Sequence, residues 1–79
     1  MGKLSATAVQ QAKGQAKPVK LSDGGGMYLR VNPSGSKYWR YNYRYAGKRK
    51  TLALGVYPDT SLADARKAHQ KAREILAAL

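Results

Sequence analysis

The chain has 79 residues, room for one domain, and its 15 Lys and Arg stand against 4 Asp and Glu, for a formal net charge of +11. It has no cysteine and a single histidine, His69, so we expect no disulfide, no metal and no other cofactor. We also expect no membrane span and no signal peptide, because no apolar run is long enough. So positive a charge on a small domain predicts a polyanionic partner, since each neutralised phosphate releases condensed counterions.

The first predicted element is a short helix over residues 5–13. Ser5 is placed to cap its start, and Gly14 to end it. The residues that follow have the composition of a linker. We therefore expect two parts, an N-terminal arm or short helix over residues 1–17 and the main domain over residues 18–79.

The glycine-rich turn at residues 22–26 is followed by a hydrophobic period of two, which is typical of β-strands. Three strands are predicted, over residues 27–32, 37–45 and 48–54. A four-residue turn joins the first two, and the Ala46-Gly47 loop joins the second and third as a hairpin. Residues 19–21 are a candidate for a short additional strand, and residues 55–60 are predicted to form a loop.

A C-terminal helix is predicted from Ser61, a hydroxyl cap with Asp64 three residues later. Its apolar stripe consists of Leu62, Ala65, Ala68, Ala72, Ile75 and Leu79. The predicted fold is therefore of the α+β class, a three-stranded antiparallel β-sheet packed on one C-terminal helix (β-β-β-α). The sequence stops inside this helix, so we expect a fragment of a longer protein.

The two faces of the predicted sheet differ in composition. One carries the large apolar side chains, and we expect Leu29, Trp39, Tyr41, Leu52 and Ile75 to share one core beneath the helix. The other face holds Tyr28, Arg30, Asn32, Tyr38, Arg40, Asn42, Arg44, Arg49 and Thr51. This second face remains in water, because burying several unpaired arginines would be prohibitive.

This solvent-exposed second face, which we call the wet face, has the composition of a surface that recognises DNA sequence. Ordinary solvated faces mix both charge signs, whereas no acid occurs from residue 24 to residue 58. Arg matches guanine edges and phosphates, Asn pairs with adenine, and a Thr methyl meets that of thymine. The predicted double-stranded DNA-binding residues are Tyr28, Arg30, Tyr38, Arg40, Asn42, Arg44, Lys48, Arg49, Lys50 and Thr51. Of these, we expect the central Arg40 and Asn42 to approach bases, and residues 48–50 to grip phosphate.

A resemblance to a known family lies in two segments, KLSDGGGMYLRV (20–31) and SGSKYWRYNYRYAGKRKTLALGVYPDTSLADAR (34–66). Their most specific motifs are SDGGG before a strand, SGSKYWR, GKRKTLALG, VYP and SLADAR. They resemble the N-terminal arm-type DNA-binding domain of phage and prophage integrases, which are tyrosine recombinases. With SATAVQQAK (5–13), which suits the leading element of that family, the resemblance covers about two-thirds of the chain.

The resemblance implies a sheet that reads arm-type sites flanking the attachment site, in support of site-specific integration and excision. It implies that the catalytic domain lies further along a longer protein, so this fragment is expected not to be an enzyme. Further implied partners are the remaining integrase domains, other integrase protomers, an excisionase or a host DNA-bending protein. The implied location is the bacterial cytoplasm, in association with the nucleoid.

Two other functions are compatible with the residues. A basic RNA-binding module could use the same sheet, although side chains cannot enter the deep major groove of A-form RNA. A membrane-surface or protein-interaction module would instead carry a basic amphipathic helix. Here the positive charge concentrates on the sheet and its turn, which favours DNA.

Overall fold

The computed structural model describes residues 3–79, which form a four-stranded antiparallel sheet covered on one face by two helices. In chain order the elements are α1 (Ala6–Gln11), β1 (Val19–Gly24), β2 (Met27–Val31), β3 (Lys37–Tyr45), β4 (Lys48–Tyr57) and α2 (Leu62–Ala78). The strands lie in the order β1-β2-β3-β4. The α+β class, the antiparallel sheet and the C-terminal helix are confirmed. None of the helices within residues 3–79 is long and apolar enough to cross a membrane.

The predicted number of three strands is wrong, because β1 is a full member of the sheet. Val19 pairs with Val31, and Leu21 with Leu29. This strand alternates apolar and polar residues, but it carries only two large apolar side chains and runs into the glycine turn. Gly25 and Gly26 adopt positive φ angles of 60° and 90°, so the segment is a tight hairpin turn.

The core lies between the sheet and both helices. Met27, Leu29 and Trp39 of the sheet are fully buried against Leu62 and Ala65 of α2. The short helix α1 adds Val9, which is also fully buried in this cluster. As predicted, Ser5 caps α1, by accepting a hydrogen bond from the Ala8 amide. The indole N–H of Trp39 donates to the Thr60 carbonyl over 2.8 Å, which satisfies the polar atom of the largest core residue.

The expected core is wrong at the far end of the β3–β4 hairpin. Leu52 is 41% exposed and Ile75 is 56% exposed. The reason is the extent of β2, which begins only at Met27, opposite Tyr41 of β3. Beyond that pair, β3 and β4 continue as a two-stranded ribbon, and the helix no longer covers them fully.

Strand β4 continues through residues 55–57, where a loop was predicted. A bulge permits this: Trp39 pairs with Gly55 and Arg40 with Ala53, so that Leu54 is an extra residue on β4. Gly55 has a φ of 148° and lies against the Thr60 side chain, with no room for a Cβ atom. The bulge shifts the register of β4 by one residue, so that the strand continues to Tyr57 beside β3.

A partly buried ion pair joins three distant segments. Asp23, at the end of β1, is 4% exposed and accepts two hydrogen bonds from Arg66 of α2, over 2.9 and 3.0 Å. The same carboxylate accepts from the Leu4 amide over 2.9 Å, and Arg66 donates to the Leu4 carbonyl. The Arg66 guanidinium holds the pKa of Asp23 below its ordinary value of 3.8. Two motifs, SDGGG and SLADAR, are thus the two halves of one structural contact.

Candidate nucleic-acid interface

The face of the sheet opposite the helices is built from cross-strand rows of polar side chains. Lys20 pairs with Arg30, and Arg30 with Tyr38. The next row contains Ser22, Tyr28, Arg40 and Ala53. Asn42 with Thr51, and then Arg44 with Arg49, form the rows on the two-stranded ribbon. The alternation of strand side chains therefore brings cations from all four strands to one surface.

This surface is concave. Its cleft is lined by Lys20, Tyr28, Arg30, Arg40, Asn42, Tyr43, Arg44, Arg49, Lys50 and Thr51. Six of these ten residues are cationic and, among the described residues, no acid lines the cleft. We call this surface the basic cleft. Facing cations with no counter-charge concentrate positive potential there, as a polyanion site requires.

The structure brings eight of the ten sequence-predicted residues into the basic cleft and leaves out Tyr38 and Lys48. Tyr38 lies on the same face, with its ring 5.9 Å from the Arg40 guanidinium carbon. Lys48 pairs with Tyr45, so by register it belongs to the helix side of the sheet. Lys50 pairs with Tyr43 on that side, yet it reaches the cleft from the ribbon.

Lys20 is a cleft residue that sequence reasoning missed. Its ammonium nitrogen lies 5.1 Å from the centroid of the Tyr28 ring, a cation–π arrangement. Tyr28 is only 8% exposed, so its ring is a packed floor of the cleft. The sequence signal for Lys20 is its alternation with Val19 and Leu21. This alternation places Lys20 on the cleft side only when β1 is known to be a strand of the sheet.

Arg40 lies at the centre of the basic cleft, on β3 between Tyr28 of β2 and Ala53 of β4. Its Nε is buried and, among the described residues, has no hydrogen-bond partner. An unpaired buried donor costs about 1–3 kcal/mol. Arg40 therefore carries an unsatisfied polar atom at the centre of the cleft.

Two hydrogen bonds orient other polar side chains of this face. The Arg30 Nε donates to the Asn32 side-chain oxygen over 3.0 Å. The Thr51 hydroxyl donates to the side-chain oxygen of Asn42 over 2.9 Å, across the β3–β4 pair. These hydrogen bonds favour one orientation of each side chain, and pre-orientation of this kind lowers the entropy cost of a contact.

Within residues 3–79, no group of three His, Cys, Asp or Glu side chains could hold a metal ion. The histidine, His69, is 8% exposed on the helix side, with Nε2 3.1 Å from the Gly25 carbonyl and its ring packed on Tyr41. It therefore contributes to packing beneath the glycine turn.

The sequence model of a family described as the arm DNA-binding domain matches residues 4–78. The chain is 46% identical over 76 residues to the integrase of Enterobacteria phage P4, covering 94% of this chain and 17% of that protein. It is 44% identical over 77 residues to the prophage integrase IntZ of Escherichia coli K12, covering 94% and 19%. It is 63% identical over 51 residues to the putative protein IntB of the same strain, covering 65% and 13%.

The sheet has one basic concave face and carries two helices on its other face. Together with the family match over nearly the whole chain, this architecture defines a DNA-binding module. The chain belongs to the arm DNA-binding domain family, and two of the relatives above are named as a phage integrase and a prophage integrase. The family resemblance predicted from the sequence is confirmed. The chain spans less than a fifth of the length of each of these relatives.

Proposed function

We propose that the chain binds duplex DNA by laying the basic cleft into the major groove at arm-type sites flanking an attachment site. It would thereby support integration and excision by a longer tyrosine recombinase. The observation that carries this proposal is the cleft itself, which is lined by six cations and, among the described residues, by no acid.

The dimensions of the sheet support the proposal. Adjacent strands lie roughly 4.8 Å apart, so four strands span about 14 Å. The major groove is about 12 Å wide. With this width, the inner strand β3 would face the groove floor with Arg40, and Lys20 on the edge strand β1 would face one phosphate backbone. Asn42 and Arg49 lie on the two-stranded ribbon of β3 and β4, which is itself narrow enough to enter the groove. This arrangement would place residues that contact bases at the centre of the cleft and residues that contact phosphates at its edges.

The experiment is a binding titration of the 79-residue chain with four probes: a duplex covering the attachment region of the parent genetic element, a scrambled duplex of equal length, duplex RNA and single-stranded DNA. We expect the attachment-region duplex to bind at least about tenfold more tightly than any other probe. Equal affinity for the two DNA duplexes would contradict sequence reading, and preference for RNA would replace DNA as the partner.

The variants for this assay are Lys20→Ala in the cleft and Lys67→Ala on α2, which remove the same charge from opposite sides of the sheet. Lys67 is exposed on the helix side. We expect Lys20→Ala to weaken binding to both DNA duplexes and Lys67→Ala to leave it nearly unchanged. Equal losses would show that net charge, and not the cleft, determines binding.

A further inference from the structure

The hydrogen bond between Thr51 and Asn42 fixes which atoms of the Asn42 amide are available to a ligand. The two residues are direct cross-strand partners, and both are exposed. Because the Thr51 hydroxyl donates to the side-chain oxygen of Asn42, one lone pair of that oxygen is occupied. Within residues 3–79, no group accepts a hydrogen bond from the Asn42 NH2, so its two donors are available.

The surroundings of this pair favour a contact with bases. Asn42 lies next to Arg40 and Arg44 on the same face of β3, two residues away on either side, and Arg49 lies across from Arg44. Arg44 and Arg49, toward the tip of the ribbon, are the cations placed to meet phosphates at the rim of the cleft. Asn42 is a neutral group between Arg40 and Arg44, and it gains little from a phosphate compared with a guanidinium. A neutral, oriented amide in a cationic cleft is suited to a base edge.

We propose that Thr51 is a positioning residue: it holds the Asn42 amide so that its N–H donors face an acceptor on a base in the major groove. Thr51 thus acts through its hydroxyl and through Asn42. This inference rests on the proposed binding of duplex DNA by the same cleft. It identifies the recognised group as a base acceptor, which purines carry as N7 and thymine as O4, and which cytosine lacks in that groove.

The proposal makes the two parts of the Thr51 side chain separable. Thr51→Val keeps the shape and the methyl group but removes the hydroxyl. Thr51→Ser keeps the hydroxyl but removes the methyl group. If Thr51 instead met a thymine methyl directly, Val would be tolerated and Ser would not. The two roles therefore predict opposite results for the same pair of variants. Thr51 is an exposed strand site, where Val is as favoured as Thr and Ser removes only one methyl group from the surface, so neither variant threatens the fold.

The test uses a duplex recovered by the wild-type chain from a pool of randomised 20-base-pair DNA (roughly the length of two helical turns), with a scrambled duplex of the same composition as control. We measure the ratio of the two affinities. Loss of one oriented hydrogen bond predicts that Thr51→Val lowers this ratio about three- to tenfold, while Thr51→Ser leaves it within about twofold of wild type. Asn42→Ala should lower the affinity ratio at least as much. Adding Thr51→Val to Asn42→Ala should lower the ratio no further.

The outcomes distinguish the inference from the function on which it rests. If the wild-type chain binds but recovers no preferred duplex, sequence reading by the cleft fails and the positioning role fails with it. If the wild-type chain is selective and Thr51→Val is equally selective, the positioning role alone is overturned. If Thr51→Val kept the affinity ratio and Thr51→Ser lost it, the positioning role would also be overturned, in favour of a direct contact of the Thr51 methyl group.

Discussion

Arg40 combines a central position with an unpaired donor. It lies in the middle of the basic cleft, where its buried Nε has no partner among the described residues. If it pairs with a base, Arg40→Ala should cost about 1–3 kcal/mol on a preferred duplex and little on random DNA. Titration of both duplexes measures the difference. Equal losses on both would mean that the cleft centre holds DNA without reading it.

Asp23 makes the stability of the domain depend on pH. Its pKa is lowered in the folded protein, first by the hydrogen bond from Arg66, so the contact stabilises the fold above the unfolded pKa of about 3.8. This stabilisation is lost as the pH falls through the lower, folded pKa. Denaturant unfolding at pH 7 and at successively lower pH should show the decline.

Replacing the carboxylate isolates this contribution. Asp23→Asn leaves the Arg66 guanidinium without its charged partner, and we expect it to lower the free energy of unfolding at pH 7 by about 1–3 kcal/mol. The variant should also lose less stability than wild type between pH 5 and pH 2. Asp59→Asn is the matched control, because Asp59 is exposed. If the free energy of unfolding of Asp23→Asn changed with pH as it does in the wild type, other carboxyl groups would be responsible for that change.

At the scale of elements, α1 is held by a lysine from the sheet. The Lys37 ammonium donates to the carbonyls of Val9 and Gln10 over 2.8 and 3.1 Å, at the C-terminal end of the helix. A cation there also opposes the negative end of the helix dipole. Together with buried Val9, this contact makes α1 part of the packed domain.

We expect Lys37→Met, which keeps much of the side-chain length, to lower the free energy of unfolding by about 1–2 kcal/mol. Amide hydrogen exchange should quicken in α1 more than in the sheet, because the helix is too short to persist undocked. Lys13→Met is the control, since Lys13 is exposed just beyond the helix. Uniform exchange changes in all elements would show a general loss of stability instead.

The hydrophobic pattern predicted the elements that alternate strongly. Trp39 and Tyr41 alternate with Arg40 and Asn42 along β3, and this fixed both the face of the core and most of the cleft. What the sequence could not show depends on contacts between distant segments. Val19 and Leu21 form a strand only because β2 lies beside them, and Lys20 joins the cleft for the same reason.

The ribbon end shows a different limit. Period-two alternation identified Leu52 as facing the helix side, which is correct, but could not show how far α2 covers that side. Tyr45 is 44% exposed, and Leu79 is 77% exposed at the end of α2. Burial depends on where the covering helix lies, whereas alternation gives only the side. The predicted division between residues 1–17 and 18–79 remains a prediction, although Val9 is part of the core.

At the scale of the whole molecule, the six cations of the basic cleft set the salt dependence of binding. If all six neutralise phosphates, the slope of log affinity against log salt is about −0.9 per contact. Affinity should then fall roughly a thousandfold between 50 and 200 mM salt. Removing one gripping residue, as in Arg49→Ala, should reduce the slope by about one unit. A flat salt dependence would contradict phosphate binding by the cleft.

The rows of the cleft also affect the free protein. Lys20 lies directly opposite Arg30, and Arg44 directly opposite Arg49. Like charges at such positions repel and destabilise a sheet. Moderate salt, by screening this repulsion, should therefore raise the melting temperature of the unbound domain while it weakens the complex. Bound DNA replaces repulsion with attraction at the same side chains, so its stabilising effect should be greatest in dilute buffer. The free domain therefore carries a repulsion between facing cations of the cleft, and a bound polyanion would remove it.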